Sequence, residues 1–256
     1  VTPSSMQRYL PISAFLNRYF DGKIQKITID AGFSCPNRDG FISSGGCIYC
    51  NNRSFSPGFT AEKRDIARQM EEGKRFFMRK YPEMKYLAYF QSFTNTYAPV
   101  SRLKQLYEEA LDVDDVVGLV IGTRPDCVSD ELLHYLAELR RRHFVMMEYG
   151  VESTDDVVLR RINRGHDYAC AVEAVRRTAA AGLPVGIHLI LGLPGESADH
   201  VCRVAGEVSA LPVDIVKLHQ LQIIKGTPLA REYQENPACV KLFTVDEYVD
   251  VVVDFL

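Results

Sequence analysis

The sequence predicts an α/β fold organised on parallel strands. Three observations carry this: six short apolar runs bounded by Gly or Pro, helical patterns between them, and capping residues at several junctions. Repeated βα units with right-handed crossovers curl into a TIM-like barrel or wind on both faces of an open sheet, and periodicity does not choose between the two. In either arrangement the site gathers at the C-terminal ends of the strands.

Residues 1–23 read as an N-terminal extension before the first strand, Ile24–Ile29. A helix over Ala61–Lys80 leads to the second strand, Lys85–Gln91, and a helix over Ser101–Leu111 to the third, Val116–Gly122. The helix Asp130–Arg142, with Ser129 ahead of its acidic first turn, precedes the strand Phe144–Gly150. Two helices follow: Asp155–Ile162 behind Ser153 and Thr154, and Tyr168–Ala181 closed by Gly182. Then come the strand Pro184–Leu191, the helix Ser197–Leu211 and the strand Asp214–Gln222. Thr244-x-x-Glu247 opens a last helix as a capping box. No linker or low-complexity tract intervenes, so residues 1–256 read as one domain. Val1 in place of an initiator Met, and a helix that runs out at Leu256, lead us to expect a further C-terminal portion.

Composition narrows the function class. Of the 256 residues, 46% are hydrophobic and 25% charged, and 30 Lys and Arg against 33 Asp and Glu leave a net charge of −3. That balance excludes a global basic field for nucleic acid, although a local patch stays open. The cations Lys63, Arg64, Arg68, Lys74, Arg75, Arg79 and Lys80 on one helix read as a solvated face. No apolar run reaches the roughly 18 residues of a bilayer span and no secretory signal is visible, so no membrane partner is expected. Seven cysteines are too sparse for a disulfide framework and odd in number, which fits a reducing cytoplasm.

Cys35, Cys47 and Cys50 form C-x11-C-x2-C in a Gly-rich loop directly after the first strand. The C-x2-C pair brings two thiolates to one centre from a tight turn, and Gly45 and Gly46 let the backbone bend close to it. A closed structural zinc normally takes four ligands, so a fourth would come from afar, whereas a [4Fe–4S] cluster on three thiolates keeps one iron open. Buried thiols, or a redox pair at Cys47 and Cys50, are further readings of the cysteines alone. Polar residues at the other strand ends include Gln91, Ser92, Asn95, Thr123, Arg124, Asp126, Glu148, Glu152, His188, His219 and Gln220.

With Tyr49 just before Cys50, this loop resembles the cluster loop of the radical S-adenosylmethionine (SAM) superfamily. The first gap departs from the usual C-x3-C-x2-C and is similar to that of the branch containing the Elongator catalytic subunit and the YhcC-like proteins. Five later stretches are similar in order: Ile121-Gly-Thr-Arg-Pro-Asp126, Glu148-Tyr-Gly-Val-Glu-Ser153, Leu159-Arg-Arg-Ile-Asn-Arg-Gly-His166, Gly186-Ile-His-Leu-Ile-Leu-Gly-Leu-Pro-Gly-Glu196, and Val216-Lys-Leu-His-Gln-Leu221 with Gly226-Thr-Pro-Leu229. The third of these also resembles oxygen-independent coproporphyrinogen oxidase.

The resemblance implies a partial (β/α)6 TIM-like barrel with a [4Fe–4S] cluster on Cys35, Cys47 and Cys50 at the C-terminal strand ends. It implies an enzyme that reductively cleaves SAM to a 5′-deoxyadenosyl radical, fed by an electron donor such as flavodoxin. It further implies that Glu152 binds the SAM ribose, Arg164 its carboxylate, and Tyr49, Leu191 and Gly192 its adenine. Gln91, Ser92 and Asn95 stand where the family carries a GGE-like segment for the SAM amine. His188 is either a core histidine or a ribose contact. Glu148 is either a SAM or substrate contact or a carboxylate paired with Arg124. Cys127 reads as a buried thiol, with radical quenching as its catalytic alternative, and Cys170, Cys202 and Cys239 read as structural. The substrate is left open between tRNA and a small molecule. A different class, a non-catalytic zinc- or cluster-stabilised module that binds tRNA, is the competing function.

Overall fold

Each apolar run becomes a strand of one parallel sheet: β1 Ile24–Ile29, β2 Lys85–Phe90, β3 Val116–Thr123, β4 Phe144–Glu152, β5 Val185–Leu191 and β6 Ile215–Gln220. Strand order in space follows order in sequence, β1-β2-β3-β4-β5-β6. A doubly wound sheet reverses its order at a switch point. No reversal occurs here, and the sheet curls into a half-barrel. The computed structural model describes residues 8–51, 65–79, 83–196 and 200–256. The helices are α1 Ile12–Leu16, α2 Ile66–Met78, α3 Val100–Leu111, α4 Asp130–Leu139, α5 Asp156–Arg161, α6 Tyr168–Ala180, α7 His200–Ser209, α8 Pro228–Glu235 and α9 Val245–Phe255. Among the described residues no helix is long and apolar enough to cross a membrane.

Period-2 alternation sorts the strand side chains into two layers. Ile27, Ile29, Ala88, Phe90, Leu119, Ile121, Val145, Met147, Ile187 and Leu189 pack outward in the core beneath the helices. Leu87, Tyr89, Val120, Phe144 and Met146 face inward, where Phe15 and Leu16 of α1 join them. The rings of Tyr19 and Phe20 meet Phe144 at 5.0 and 5.4 Å, so the segment before β1 plugs the N-terminal mouth of the half-barrel. Strands buried on both faces explain why the runs read as continuously apolar. Strands β3 and β4 pack closely at Gly118, where a Cβ would lie 2.2 Å from the Phe144 carbonyl oxygen.

The ends differ from expectation where polar atoms intervene. The N-terminal part expected for α2 (61–64) and the start expected for α7 (197–199) lie outside the described residues. Helix α4 stops at Leu139 rather than Arg142, because Arg141 and Arg142 turn tighter and donate to the carbonyls of Glu138 and Leu139, three residues back. Asp155, not Ser153 or Thr154, caps α5, accepting from Val157 N at 2.8 Å. Strand β4 runs on to Glu152 through an irregularity between Gly150 and Glu152. Ser129 caps α4, Gly182 follows α6 at φ +78°, and the Thr244–Glu247 capping box forms. The cations of α2 do not make one solvated stripe: Lys74 is buried and donates to the Asp114 carbonyl at 2.7 Å, while Lys63, Arg64 and Lys80 lie outside the described residues.

Candidate active site

The long gap between Cys35 and Cys47 is a folded excursion that brings the chain back to where it began. The Pro36 carbonyl accepts from Ile42 N at 2.8 Å, and Gly46 N donates to the Asn37 carbonyl at 2.6 Å. Gly46 sits at φ +73°, and a Cβ there would lie 2.9 Å from the Arg38 side chain, so the return needs glycine. A turn then closes from Cys50 N to the Cys47 carbonyl at 3.0 Å.

The segment after α5 pins the loop. Asn163, in the left-handed region at φ +54°, donates from Nδ2 to the Gly46 carbonyl at 2.8 Å. Its own carbonyl accepts from Asn37 Nδ2 at 2.6 Å. Ile48 N bonds to the Ile162 carbonyl, and Leu229 N at the start of α8 bonds to the Ile48 carbonyl. The cysteine loop and the Leu159–His166 stretch are therefore one structural unit.

Cys35, Cys47 and Cys50 line one cavity of about 260 Å³ at the C-terminal ends of the strands. Tyr49, Gln91, Glu152, Arg164 and His188 line it too, so five of the nine residues expected to contact SAM come together around the three thiols. The other four are not among its lining side chains. Ser92 and Asn95 are buried in the loop after β2, where Asn95 Nδ2 donates to the Gly122 carbonyl at 2.8 Å. Leu191 is buried at the end of β5. Gly192, at φ +89°, lies where a Cβ would meet the Phe243 ring at 2.9 Å.

Arg164 is the electrostatic centre of the thiol end. It is 6% exposed, donates from Nη1 to Cys47 Sγ at 3.6 Å, bonds to the Gly150 carbonyl, and stands 3.6 Å from Glu152 Oε1. Burial disfavours its charge, but Cys47 and Glu152 outweigh that and hold it cationic. Glu152 itself is at φ +70°, a strained conformation for a non-glycine residue. Gly150 is required beside them, since a Cβ would lie 2.5 Å from Glu152 Oε1 and 2.8 Å from Arg164 Nη2. Burial, then Glu152 and Cys47, hold the half-buried Tyr49 phenol protonated.

Deeper in the half-barrel, Glu148 is 2% exposed and accepts from Lys26 Nζ at 2.5 Å and His188 Nε2 at 2.8 Å. Burial alone would raise its carboxyl, but the His188 hydrogen bond and the Lys26 charge hold it well below the usual range. Glu148 is thus not the partner of Arg124, which instead grips Asp126 through Nε and Nη2 at 2.9 and 2.7 Å. Local geometry favours that closer partner two residues along the chain. Burial and Asp126 push the Cys127 thiol up to about 12, and its Sγ donates to Asp126 Oδ1 at 3.6 Å.

Sequence reasoning missed Lys26, Asn37, Arg38 and Thr94. The period-2 alternation of Ile24–Ile29 is the signal that points Lys26 inward. Nothing local marks Asn37 or Arg38, whose partners are Asn163 and the Cys50 carbonyl.

The donor set fits a cluster. Three thiols lining a cavity suit a cluster, in which each thiolate binds its own iron. Buried Arg124 Nη1 and Arg164 Nε, on two residues that line the cavity, have no protein partner, so unspent donors stand at that space.

Fold and site together define a class: a half-barrel of six parallel strands that presents three thiols and a buried arginine at its C-terminal mouth. The chain belongs to the Radical SAM superfamily, whose family model matches residues 39–208, and residues 213–256 match the Radical_SAM C-terminal domain. It is 38% identical over 250 residues to the uncharacterized protein YtqA of Bacillus subtilis, covering 98% of this chain and 77% of that one. It is 41% identical over 220 residues to protein YhcC of Escherichia coli, covering 86% and 70%. A partial match, 28% identical over 153 residues, is to a tRNA uridine(34) acetyltransferase of Methanocaldococcus infernus, covering 57% of this chain and 28% of that protein.

Among solved structures, Elp3 of Methanocaldococcus infernus superposes with a TM-score of 0.66 at 18% identity, covering 91% of this chain and 53% of that one. Coproporphyrinogen III oxidase (HemN) of Escherichia coli superposes with 0.58 at 17%, covering 94% and 54%. This likeness is one of fold, and the chain spans about half the length of either structure.

Proposed function

We propose that this chain is a radical SAM enzyme in which Cys35, Cys47 and Cys50 hold a [4Fe–4S] cluster and the adjoining cavity takes SAM. One observation carries the reading: three thiols and the buried Arg164, with its Nε unspent, meet on a single cavity. When bound, the reduced cluster and SAM supply one-electron cleavage of a carbon–sulfur bond, yielding the 5′-deoxyadenosyl radical.

The chain's own residues bind, orient and exclude water. Arg164 offers its guanidinium to the SAM carboxylate. Glu152, which lines the cavity beside Arg164, accepts from the ribose hydroxyls. Tyr49 supplies a ring face to adenine, beside the backbone of Leu191 and Gly192. Of Gln91, Ser92 and Asn95, Gln91 is the one that lines the cavity, which favours it as the contact to the amine. Cys127, bonded to Asp126, keeps a structural role. A tRNA substrate has the partial match to tRNA uridine(34) acetyltransferases in its favour, and salt-dependent binding of bulk tRNA tests it.

Anaerobic reconstitution with iron and sulfide tests the cluster. We expect about four irons per chain, a paramagnetic signal on reduction that SAM perturbs, and loss of both in Cys35→Ala, Cys47→Ala and Cys50→Ala. One zinc and no iron in protein purified without oxygen overturns the reading in favour of the binding module.

A further inference from the structure

Beside the cavity, the inward face of β6 carries a second cation. Strand β6 alternates: Ile215 packs on the inner cluster, Val216 is exposed, and Leu218 packs on the outer core. Lys217 and His219 therefore face the barrel interior with Ile215, and His219 lines the cavity. Across the pairing, Lys217 stands beside His188 of β5. The His188 and His219 rings lie 5.3 Å apart.

Two ammonium groups meet at one ring here. Lys26 Nζ lies 4.9 Å and Lys217 Nζ 5.5 Å from the centre of the Tyr89 ring, which itself lines the cavity. The carboxylate at this level, Glu148, is fully used, with Lys26 on one oxygen and His188 on the other. Among the described residues no carboxylate lies within ion-pair distance of Lys217. Burial and Lys26 pull the Lys217 pKa down, while Glu148 and Glu152 favour its charge only from a distance, so an anion in contact stabilises this half-buried ammonium. Glu152, the next carboxylate in the cavity, faces Arg164 at the thiol end.

We propose that Lys217, with His219 beside it, forms the substrate subsite of the half-barrel and receives an anionic group, a carboxylate or a phosphate. Arg164 serves SAM at the thiol end, and Lys217, which reaches the cavity over the lining Tyr89 ring, is a cation at the opposite level for the second molecule. A side chain with three donors and a neighbouring imidazole suits an oxyanion with several acceptor oxygens. The inference rests on the radical SAM reading, since it takes the Arg164 end as the SAM site.

The test uses cluster-loaded protein saturated with SAM, titrated calorimetrically with malonate and with inorganic phosphate at constant ionic strength. We expect one of these anions to bind at a single site, neutral malonamide not to bind, Lys217→Gln to weaken binding at least tenfold, and Lys217→Arg to restore it. Which anion binds decides between carboxylate and phosphate. Unchanged affinity in Lys217→Gln, absence of anion binding with SAM present, or displacement of SAM by the anion overturns the proposal. Should Lys217→Gln not fold, protection of Lys217 from acylation by the same anions in the unsubstituted protein, read by mass spectrometry, decides: protection supports the subsite and its absence overturns it. Formation of 5′-deoxyadenosine by the unsubstituted protein without any anion tests the enzyme reading separately, so the two claims fail independently.

Discussion

Arg164 Nη1 reaches the sulfur of Cys47 at 3.6 Å although 117 residues separate them in the chain. That contact joins the cysteine loop to the segment after α5, and it puts a buried cation against that sulfur. Cluster loop and SAM-facing arginine are consequently one unit, held by Asn37 and Asn163 as well.

Gly150→Ala tests how tightly that unit is packed. The added methyl would sit 2.5 Å from Glu152 Oε1 and 2.8 Å from Arg164 Nη2, so both side chains must move. We expect SAM affinity of the cluster-loaded protein to fall at least tenfold, about 1.4 kcal/mol, by equilibrium binding. Affinity equal to that of the unsubstituted protein contradicts this account of the site.

Gly118→Ala probes the fold instead. Its Cβ would lie 2.2 Å from a backbone oxygen on the neighbouring strand, which cannot swing aside as a side chain can. Overpacking of this kind costs about 1–3 kcal/mol, visible as a lower denaturation midpoint at unchanged slope.

Phe15→Ala removes part of the plug beneath the half-barrel. Phe15 is 3% exposed and packs with Leu87, Val120, Phe144 and Met146. A loss of about 3–5 kcal/mol is expected in urea titrations. A loss below about 1 kcal/mol would show that this segment does not close the barrel.

His219 should make the protein acid-sensitive. Burial, then His188 and Lys217, hold its pKa down at about 4, against about 6.5 when unfolded. Between those values the unfolded chain binds the proton that the folded chain refuses, so stability falls as pH drops through that window. The slope is at most about 1.4 kcal/mol per pH unit, reduced by partial exposure. Melting curves should show His219→Gln losing less stability than the unsubstituted protein on acidification. Parallel losses would mean that His219 titrates normally in the folded state.

Much of this architecture was legible in the sequence because the strands are buried on both faces and stand out as apolar runs. Ile24–Ile29 matched to the residue, and the cysteine spacing with the Glu148–Ser153 and Leu159–His166 stretches located the cavity. What was not legible depends on contacts between distant residues. Glu148 found Lys26 on β1 rather than Arg124, because the barrel's curl, and no local pattern, sets which inward side chains meet. Asn95 stands at the expected strand end, yet its side chain is spent on the Gly122 carbonyl and does not line the cavity.

Quantifying 5′-deoxyadenosine after anaerobic reconstitution, reduction and addition of SAM tests the central claim most directly. The account predicts 5′-deoxyadenosine and methionine from the unsubstituted protein, and neither from Cys35→Ala, Cys47→Ala or Cys50→Ala. A fully loaded, reduced cluster that binds SAM yet yields no 5′-deoxyadenosine would contradict it.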